Sequence, residues 1–386
     1  MLLFALSIWS WHYISYLVQC IHGLIGFVLM SNLSAHSIFV NTKLQVQQNW
    51  PCLKSYLSSI GHDLNLKTQP KQFSGGFGNL NYLIKFNGSA AVLRRPPMGR
   101  IAPGSNDMLR EGKILRSLTA SFPLAPRCLY LGDNEKILGA PFLIMEYRPG
   151  IIIGPNLPDR WRDNTAVVQK ITQQLLEILI ELHNISPNDI GLSELGRPEG
   201  YLTRTANGWF KRAQMMWPTY LPKAVNYIMS WLDDNKIIEK APVLLHNDFK
   251  LDNIIFNPGD LSPVAVIDWD LGTRGDPLWD LAVLLSYWAE PSDPTAMLQL
   301  RQMPTTSIGF PRRKDIIDIY GSRSGRSVAN IQYYRVLAQF RLAVVFKQIF
   351  EKSKDHRYFS SSASRFDALS LGLLEFAVRV ANGEFD

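Results

Sequence analysis

The sequence lacks any pattern of cysteines. Its three cysteines, Cys20, Cys52 and Cys128, are far apart, and no Cys-x-x-Cys pair occurs. Disulfide frameworks and thiolate metal sites both need regularly spaced cysteines, so neither is indicated. This usage is typical of a protein in a reducing compartment, and we expect a cytoplasmic location.

Blocks of like charge, internal repeats and low-complexity tracts are also missing from the 386 residues. The formal net charge is +7, with 46% hydrophobic and 19% charged residues, a globular composition long enough for about two domains. The positive balance favours anionic ligands such as nucleotides or acidic substrates. Without a basic block or an RNA-binding signature, we expect no nucleic-acid partner. The oligomeric state stays unknown.

Residues 1–30 contain no Lys, Arg, Asp or Glu and are long enough to cross a bilayer as a helix. They also lack the positive n-region and the small-residue cleavage site of a secretory signal. Three interpretations stay open: a membrane anchor, a buried or interfacial helix, and a start site placed too early, with translation beginning at Met30. The anchor would attach an otherwise cytoplasmic protein to a membrane.

Polar side chains are concentrated between Leu244 and Leu281, where they alternate with short apolar runs. Three of these runs, Val243–His246, Asn253–Phe256 and Val264–Asp268, predict short strands bounded by turn residues. A hairpin of two such strands brings the residues before and after it close together. The following side chains are therefore expected to converge or to flank the convergence: His246, Asp248, Asn253, Asp268 and Asp270.

The residue types in this stretch suit phosphoryl transfer. Asn253 and Asp268 offer hard oxygen ligands, which Mg²⁺ prefers when it is held together with substrate phosphates. Asp248, five residues before Asn253, is placed to accept the proton of an attacking hydroxyl group. Phosphoryl transfer needs mainly positioning and charge neutralisation, so one base, a metal site and a phosphate cradle are enough.

Three motifs in this stretch resemble those of the aminoglycoside phosphotransferase and choline kinase superfamily. They are His-x-Asp-x-x-x-x-Asn at His246–Asn253, Ile-Asp-Trp-Asp at Ile267–Asp270, and Gly-Asp-Pro-x-x-Asp-Leu-Ala at Gly275–Ala282. The resemblance implies an α+β, bilobal protein-kinase-like fold with a small β-rich N-lobe and a larger helical C-lobe. It also implies that Asp280 starts a helix and holds the catalytic loop by backbone hydrogen bonds.

The same resemblance assigns roles to the polar residues. Asp248 matches the catalytic base, His246 the residue that braces the loop, and Asn253 and Asp268 the metal ligands. Asp270 matches a second acidic position, which we include among the metal ligands. Carboxylates at strand ends are commonly solvated caps, but three ordered motifs at family spacing favour the functional interpretation.

A glycine-rich segment, Gln72–Phe86, predicts a strand, a glycine loop and a second strand. Gly75, Gly76 and Gly78 permit positive φ and allow backbone N–H groups to approach a phosphate closely. A plain hairpin turn would explain these glycines almost as well. The strand that follows favours the phosphate interpretation.

That next strand, Ala90–Pro97, places Arg94 where the kinase pattern has its phosphate-pairing Lys. A guanidinium group can bind phosphate oxygens through two parallel hydrogen bonds. By analogy with the kinase Lys–Glu pair, Glu111 on the helix Met108–Leu118 is the expected partner of Arg94. The alternative for Glu111 is a solvated helix charge.

The segment Phe142–Tyr147 resembles the connection between the two lobes, with the backbone near Glu146 and Tyr147 facing the adenine. Arg148 would then mark the lobe boundary. The predicted division is an apolar leader at 1–40, a nucleotide-binding N-lobe at 41–148 and a catalytic and substrate-binding C-lobe at 149–386.

Helical periodicity predicts further elements. Lys43 to Leu66 is predicted to be one amphipathic helix, and Thr165 to His183 a strongly amphipathic one. Tyr201 to Trp217 predicts another helix. Core packing explains most of its aromatic residues, and substrate contact by its aromatic and basic residues is the alternative.

The combined prediction is transfer of the γ-phosphoryl group from ATP, with Mg²⁺, to a hydroxyl group of a small molecule. Within the superfamily, the chain resembles the branch that includes the kinase-like domain fused to some animal acyl-CoA dehydrogenases. This resemblance suggests a hydroxyacid or hydroxyacyl-CoA acceptor. Aminoglycoside, choline or homoserine acceptors, a nucleotide-binding pseudokinase scaffold and a membrane-tethered regulator stay open. A protein substrate is disfavoured, because only Leu271 to Arg274 separate the second motif from the third.

Overall fold

A computed structural model of the chain describes residues 38–75, 78–98, 106–353 and 360–385. The chain forms two compact units. The first comprises the chain up to Thr119 with Ala125–Arg148 and Trp269–Leu271; the second comprises Ala120–Leu124, Pro149–Asp268 and Gly272–Asp386. Residues 1–37 of the predicted leader, and Gly76 of the predicted phosphate loop, lie outside the described residues.

The first unit contains a six-stranded antiparallel sheet. Strands β1, β3, β4, β6 and β5 follow one another across it, and β2 pairs with β3. The strands are β1 Leu64–Asn65, β2 Lys71–Gln72, β3 Leu80–Phe86, β4 Ser89–Arg95, β5 Cys128–Gly132 and β6 Phe142–Glu146.

The β3–β4 hairpin sets the position of Arg94. Asn87 and Gly88, with φ of 49° and 80°, form the two-residue turn, as in a type I′ hairpin. Buried residues alternate with more exposed ones along β3, so a one-residue slip would turn its apolar face to water. The resulting register places Arg94 opposite Asn81.

The α-helices of the first unit, within its described residues, are α1 Trp50–Ser59, α2 Met108–Leu118 and α3 Glu135–Leu138. The prediction of one helix from Lys43 to Leu66 is wrong. Asn49 caps α1 by accepting a hydrogen bond from the Cys52 N–H at 3.1 Å, which makes the helix begin at Trp50. Gly61, with φ of 85°, follows its end, and the chain then enters β1.

The second unit is mainly helical. Its helix α4, Thr165–Asn184, confirms the helix predicted from Thr165. None of the helices in the described part of the chain is long and apolar enough to cross a membrane. The helices are α4 Thr165–Asn184, α5 Tyr201–Met216, α6 Lys223–Asp234, α7 Leu278–Tyr287, α8 Thr295–Leu300, α9 Arg313–Ser324, α10 Ile331–Ser353 and α11 Ser360–Ala381.

Two small antiparallel sheets complete the second unit, with β9 pairing both β10 and β7 in one and β8 pairing β11 in the other. Their strands are β7 Ile151–Ile152, β8 Val243–Leu245, β9 Ile254–Phe256, β10 Pro263–Val266 and β11 Thr273–Gly275. In the β9–β10 hairpin, Ile254 pairs with Val266, and the Ile267 N–H donates to the Asn253 carbonyl at 2.9 Å. The hairpin therefore brings the chain at Asn253 next to the residue that precedes Asp268, as predicted.

Candidate active site

His246 fixes the loop that follows β8. Its fully buried ring donates from Nε2 to the Ile267 carbonyl at 2.9 Å, and its Nδ1 accepts from the Asp248 N–H at 3.3 Å. A carbonyl can only accept and a backbone N–H can only donate, so these bonds assign the neutral tautomer protonated at Nε2. His246 therefore connects its loop to the end of the β9–β10 hairpin, which is the bracing position predicted for it.

Asp280, in the first turn of α7, holds the same loop by two backbone hydrogen bonds. Its Oδ2 accepts from the His246 N–H and its Oδ1 from the Asn247 N–H, each at 2.7 Å. Asn247 is in the left-handed region at φ of 67°, where its side chain accepts from Trp279 Nε1 at 2.7 Å. These contacts confirm the predicted role of Asp280. Because Asp280 is fully buried, they also offset the cost of desolvating its charge.

Asp248 is the centre of a cluster of donors and cations. Tyr287 donates from its hydroxyl group to Oδ1 at 3.1 Å, and Asn253 Nδ2 donates to Oδ2 at 3.3 Å. Lys250 Nζ lies 3.5 Å from Oδ2, and Arg341 Nη2 lies 4.0 Å from Oδ1. The Asp248 side chain still keeps 18% of its surface exposed, so a ligand can reach the carboxylate.

Two groups in this cluster have shifted pKa values. Burial disfavours the charged form of Lys250, but the carboxylates of Asp248 and Asp252 outweigh it and raise the Lys250 pKa well above its usual value. Burial, reinforced by the Asp248 charge, also raises the pKa of Tyr287. Both side chains therefore keep their protons at neutral pH. Tyr287 donates to Asp248, whereas Lys250 donates to Asp252 Oδ2 at 3.0 Å and contacts Asp248 as an ion pair.

Lys250, Tyr287 and Arg341 were missed by the sequence analysis. Lys250 had a local signal, since it lies two residues after Asp248 inside the first motif. Tyr287 ends α7 and Arg341 lies in the middle of α10, and neither belongs to a recognisable pattern. Only the packing of these helices brings them to the loop.

The side chain of Asn253 is held in an orientation that suits a magnesium ligand. Its Nδ2 donates to the Asp248 carbonyl at 2.8 Å as well as to the carboxylate, which orients the amide. Among the described residues, no group donates a hydrogen bond to Asn253 Oδ1. An oriented amide oxygen is a hard ligand of the kind that Mg²⁺ prefers, and the backbone hydrogen bond between Ile267 and Asn253 brings the chain that carries Asp268 next to it.

No cluster of three or more His, Cys, Asp or Glu side chains suited to a metal ion occurs in the described ranges. A magnesium site completed by substrate phosphates needs no such cluster, because it uses one or two carboxylates from the protein. Asp268 itself has φ of 71°, a left-handed conformation that turns the chain sharply after the hairpin. The metal-binding role of Asn253 and Asp268 stays a prediction.

Within the first unit, Arg94 and Glu111 form the predicted pair. Arg94 Nε donates to Glu111 Oε2 at 2.8 Å, and the two side chains are 5% and 0% exposed. Arg94 Nη1 also donates to Asn81 Oδ1 at 3.3 Å. Glu111 is therefore not a solvated helix charge. The binding of phosphate by Arg94 stays a prediction.

Asp270 belongs to the same buried network of the first unit. Its Oδ2 accepts from Asn79 Nδ2 at 3.1 Å and lies 3.9 Å from Arg94 Nη2. Arg110 donates to the Asp270 backbone carbonyl. The structure thus places the Asp270 carboxylate against Asn79, next to the glycine segment, and its predicted role as a metal ligand stays a prediction.

Neither Gly75 nor Gly78 adopts the positive φ that glycine permits. At Gly78 an added Cβ would lie 3.1 Å from Asn106 Nδ2, a tight contact. That amide also donates to Asn79 Oδ1 at 2.8 Å and to the Gly78 carbonyl. The proposed phosphate contact of these glycines stays a prediction.

Glu146 and Tyr147 lie at the end of β6. Partial burial would raise the Glu146 pKa, but a hydrogen bond from the Arg127 N–H and the charge of Arg148 lower it. Arg148 Nη2 lies 3.0 Å from Glu146 Oε2. Tyr147 stacks on Phe73 with ring centroids 6.3 Å apart. The predicted contact of this segment with adenine stays a prediction.

A cavity of about 290 Å³ opens beside α5 in the second unit. It is lined by Arg197, Tyr201, Arg204, Thr205 and Thr273. Tyr201 donates to Asn247 Oδ1 at 3.3 Å, and Arg204 donates to the backbone carbonyls of Arg197 and Glu199. Tyr201 therefore connects the wall of this basic cavity with the loop that carries Asp248.

Comparison with known proteins gives the family. The sequence model of the phosphotransferase enzyme family matches residues 70–315, more than half of the chain. Acyl-CoA dehydrogenase family member 11 of Rattus norvegicus is 30% identical over 305 residues, which cover 78% of this chain and 38% of that protein. The chain thus spans well under half the length of that relative.

Solved structures show the same fold. A crystal structure of a protein assigned as an aminoglycoside phosphotransferase, from Ralstonia eutropha, has a TM-score of 0.71 at 22% identity and covers 87% of this chain and 99% of its own. A thermostable mutant of the aminoglycoside phosphotransferase APH(4)-Ia, complexed with AMP-PNP and hygromycin B, has a TM-score of 0.54 at 15% identity, covering 86% and 99%. The chain therefore belongs to the phosphotransferase enzyme family and has its kinase-like α+β fold.

Proposed function

We propose that this protein is an ATP-dependent kinase that transfers the γ-phosphoryl group to a hydroxyl group of a small molecule. The observation that carries the proposal is Asp248, an accessible carboxylate oriented by Tyr287 and Asn253 on a loop that Asp280 fixes. Family membership supports phosphoryl transfer. The AMP-PNP bound by the similar APH(4)-Ia structure supports an adenine nucleotide as the donor.

Asp248 acts as the base in this proposal. The acceptor O–H bond breaks and its proton passes to the Asp248 carboxylate, while the acceptor oxygen forms a bond to the γ-phosphorus and the bond from that phosphorus to ADP breaks. Tyr287 and Asn253 keep the carboxylate in one orientation, which lowers the entropic part of the barrier. The positive charge of Lys250, 3.5 Å from Oδ2, stabilises the carboxylate until it takes the proton.

Other residues bind the nucleotide and metal in the same proposal. Mg²⁺, held by Asn253 and Asp268, would supply charge neutralisation at the phosphate oxygens. Arg94 binds phosphate oxygens in the position that a lysine has in protein kinases. Its pairing with Glu111 keeps the guanidinium oriented, which is what bidentate phosphate binding needs.

The acceptor that we propose is a hydroxyacid or a hydroxyacyl-CoA. The rat relative carries an acyl-CoA dehydrogenase name, which points to acyl-CoA chemistry. The formal net charge of +7 favours an anionic acceptor over a polycationic aminoglycoside. The basic cavity lined by Arg197 and Arg204 gives the second unit a surface of the matching sign.

Asp248→Asn tests the proposal. ADP release would be measured against hydroxyacids, hydroxyacyl-CoAs, choline, homoserine and aminoglycosides, and we expect the variant to lower kcat about 10²- to 10⁴-fold, as for loss of a general base. The matched control is Asp189→Asn at an exposed site. Turnover that is the same for Asp248→Asn and Asp189→Asn would remove Asp248 as the base. Unchanged AMP-PNP affinity would show that the variant is intact.

A further inference from the structure

We infer that Arg341 binds a carboxylate group of the phosphoryl acceptor and so selects free hydroxyacids. The inference rests on the proposed function, because it takes Asp248 as the residue that meets the acceptor hydroxyl. It assigns to Arg341 the selection of the molecule that carries this hydroxyl group.

Arg341 is a mostly buried cation that donates no hydrogen bond to any residue that the structure describes. Its side chain is 11% exposed, and its nearest acidic atom, Asp248 Oδ1, lies 4.0 Å from Nη2. That distance is beyond a hydrogen bond. In the described ranges, no protein atom accepts a hydrogen bond from the Arg341 guanidinium, which carries several N–H donors.

Two other buried arginines show what this fold normally provides. Arg94 donates to Glu111 and Asn81. Arg313 donates from Nη1 to the Trp288 carbonyl at 2.7 Å and from both Nη1 and Nη2 to the carboxylate of Asp293. The guanidinium nitrogens of Arg341 differ from these because they make no such bonds and are not fully removed from water, so an acceptor from outside the protein can reach them.

The surroundings of Arg341 favour an anion with two oxygens. Asp248 is shared with Lys250 at 3.5 Å, so it does not fully neutralise Arg341. Tyr287 directs its hydroxyl group to Asp248 rather than to the guanidinium. A planar guanidinium pairs best with a carboxylate through two parallel bonds, whereas a thioester carbonyl is uncharged and accepts more weakly.

The geometry also limits the length of the acceptor. Asp248 Oδ1 and Arg341 Nη2 lie 4.0 Å apart. An acceptor that bonds to both would place its hydroxyl group about 2.7 Å from Asp248 Oδ1 and its carboxylate about 2.8 Å from the Arg341 guanidinium. A short hydroxyacid carries both groups at such a separation. A cationic amine in the same place would be repelled by Arg341.

Arg341→Gln distinguishes this role from a purely supporting one. The acceptors would be 2-, 3- and 4-hydroxybutyrate, each paired with its neutral amide, and their coenzyme A thioesters. We expect the variant to lower kcat/KM for the preferred acid about 10- to 150-fold, the range for a hydrogen bond to a charged group, and to change kcat/KM for the matching amide about threefold or less. Arg341→Lys keeps the charge without the fork and should fall between. Arg323→Gln, at an exposed site of α9, is the control.

Equal loss for acid and amide would overturn the inference, because a residue that only supports Asp248 affects every acceptor alike. Preference for the thioester over the acid in the wild type, unchanged in Arg341→Gln, would also overturn it. Calorimetric binding of the same acids and amides in the presence of AMP-PNP separates this inference from the proposed function. Acid binding that Arg341→Gln abolishes, without any ATP consumption, would sustain the role of Arg341 and refute the kinase. Wild-type protein that binds none of the acids would refute the role of Arg341.

Discussion

The buried carboxylate of Asp280 should be the residue whose neutralisation most directly loosens the loop carrying Asp248. In Asp280→Asn, the side chain keeps one oxygen acceptor and gains an NH₂ group, while two backbone N–H groups still point at it, each at 2.7 Å. One N–H then faces another donor. The geometry of the loop between His246 and Asp248 depends on both bonds.

The size of the expected change in stability follows from these two hydrogen bonds. Losing one hydrogen bond to a carboxylate costs about 1.5–3 kcal/mol, and leaving a buried N–H without an acceptor costs about 1–3 kcal/mol more. Removing a fully buried charge returns part of this, since the charge no longer has to be desolvated. We expect a net loss of about 2–4 kcal/mol in the free energy of unfolding, and kcat lowered about 10- to 100-fold because the base is displaced.

Urea unfolding followed by tryptophan fluorescence would measure the first effect and ADP release the second. Asp276→Asn is the matched control, since Asp276 is also buried and accepts from the Lys240 N–H at 2.7 Å and from the Tyr334 hydroxyl at 2.6 Å. It should lose comparable stability and keep most of its turnover. Asp280→Asn with stability within about 0.5 kcal/mol of the wild type, or with turnover like that of Asp276→Asn, would refute the assigned role.

Two further predictions concern buried charges. Arg94→Met removes the Arg94 cation from the Glu111 carboxylate, which is 0% exposed. We expect the free energy of unfolding, measured by thermal unfolding, to fall by about 3–5 kcal/mol. The double variant with Glu111→Leu should recover most of this loss, and no recovery would contradict the pairing. The raised pKa of Lys250 stabilises the fold fully below the pKa of lysine in the unfolded chain, about 10.4, and this stabilisation is lost as the pH rises through the pKa in the folded protein. The raised pKa of Tyr287 acts in the same direction, because the tyrosine of the unfolded chain ionises at a lower pH. The free energy of unfolding should therefore fall above about pH 10, less steeply in Lys250→Met, and an identical slope in that variant would count against the Lys250 shift.

Local patterns predicted what local interactions determine. The β9–β10 hairpin was predicted from strand periodicity and the Arg94–Glu111 pair from analogy with the kinase Lys–Glu pair, and both occur. The failed helix between Lys43 and Leu66 shows the limit of periodicity, because the Asn49 cap sets a later start and the turn at Gly61 follows an earlier end than the apolar repeat predicts. Helix ends depend on such single hydrogen bonds, which a pattern of apolar residues does not register.

Long-range packing decided the rest of the candidate site. Tyr287 and Arg341 reach Asp248 from two helices far along the chain, and no spacing rule connects them with the first motif. The glycine segment shows the same dependence, since an added Cβ at Gly78 would lie close to the side chain of Asn106, 28 residues further along the chain. These contacts depend on how whole elements pack, so the sequence predicted Asp248 as the candidate base and did not predict the groups around it.

Among the described residues, the side chains that contact the Asp248 carboxylate are hydrogen-bond donors or cations. Tyr287 and Lys250 hold their own protons at neutral pH, Asn253 presents its amide NH₂ group, and both ring nitrogens of His246 are engaged by the main chain. A proton taken up by this carboxylate in the proposed reaction therefore meets no base among these groups. We expect it to leave through the exposed part of the side chain, with the product or into water, which would couple regeneration of the proposed base to product departure.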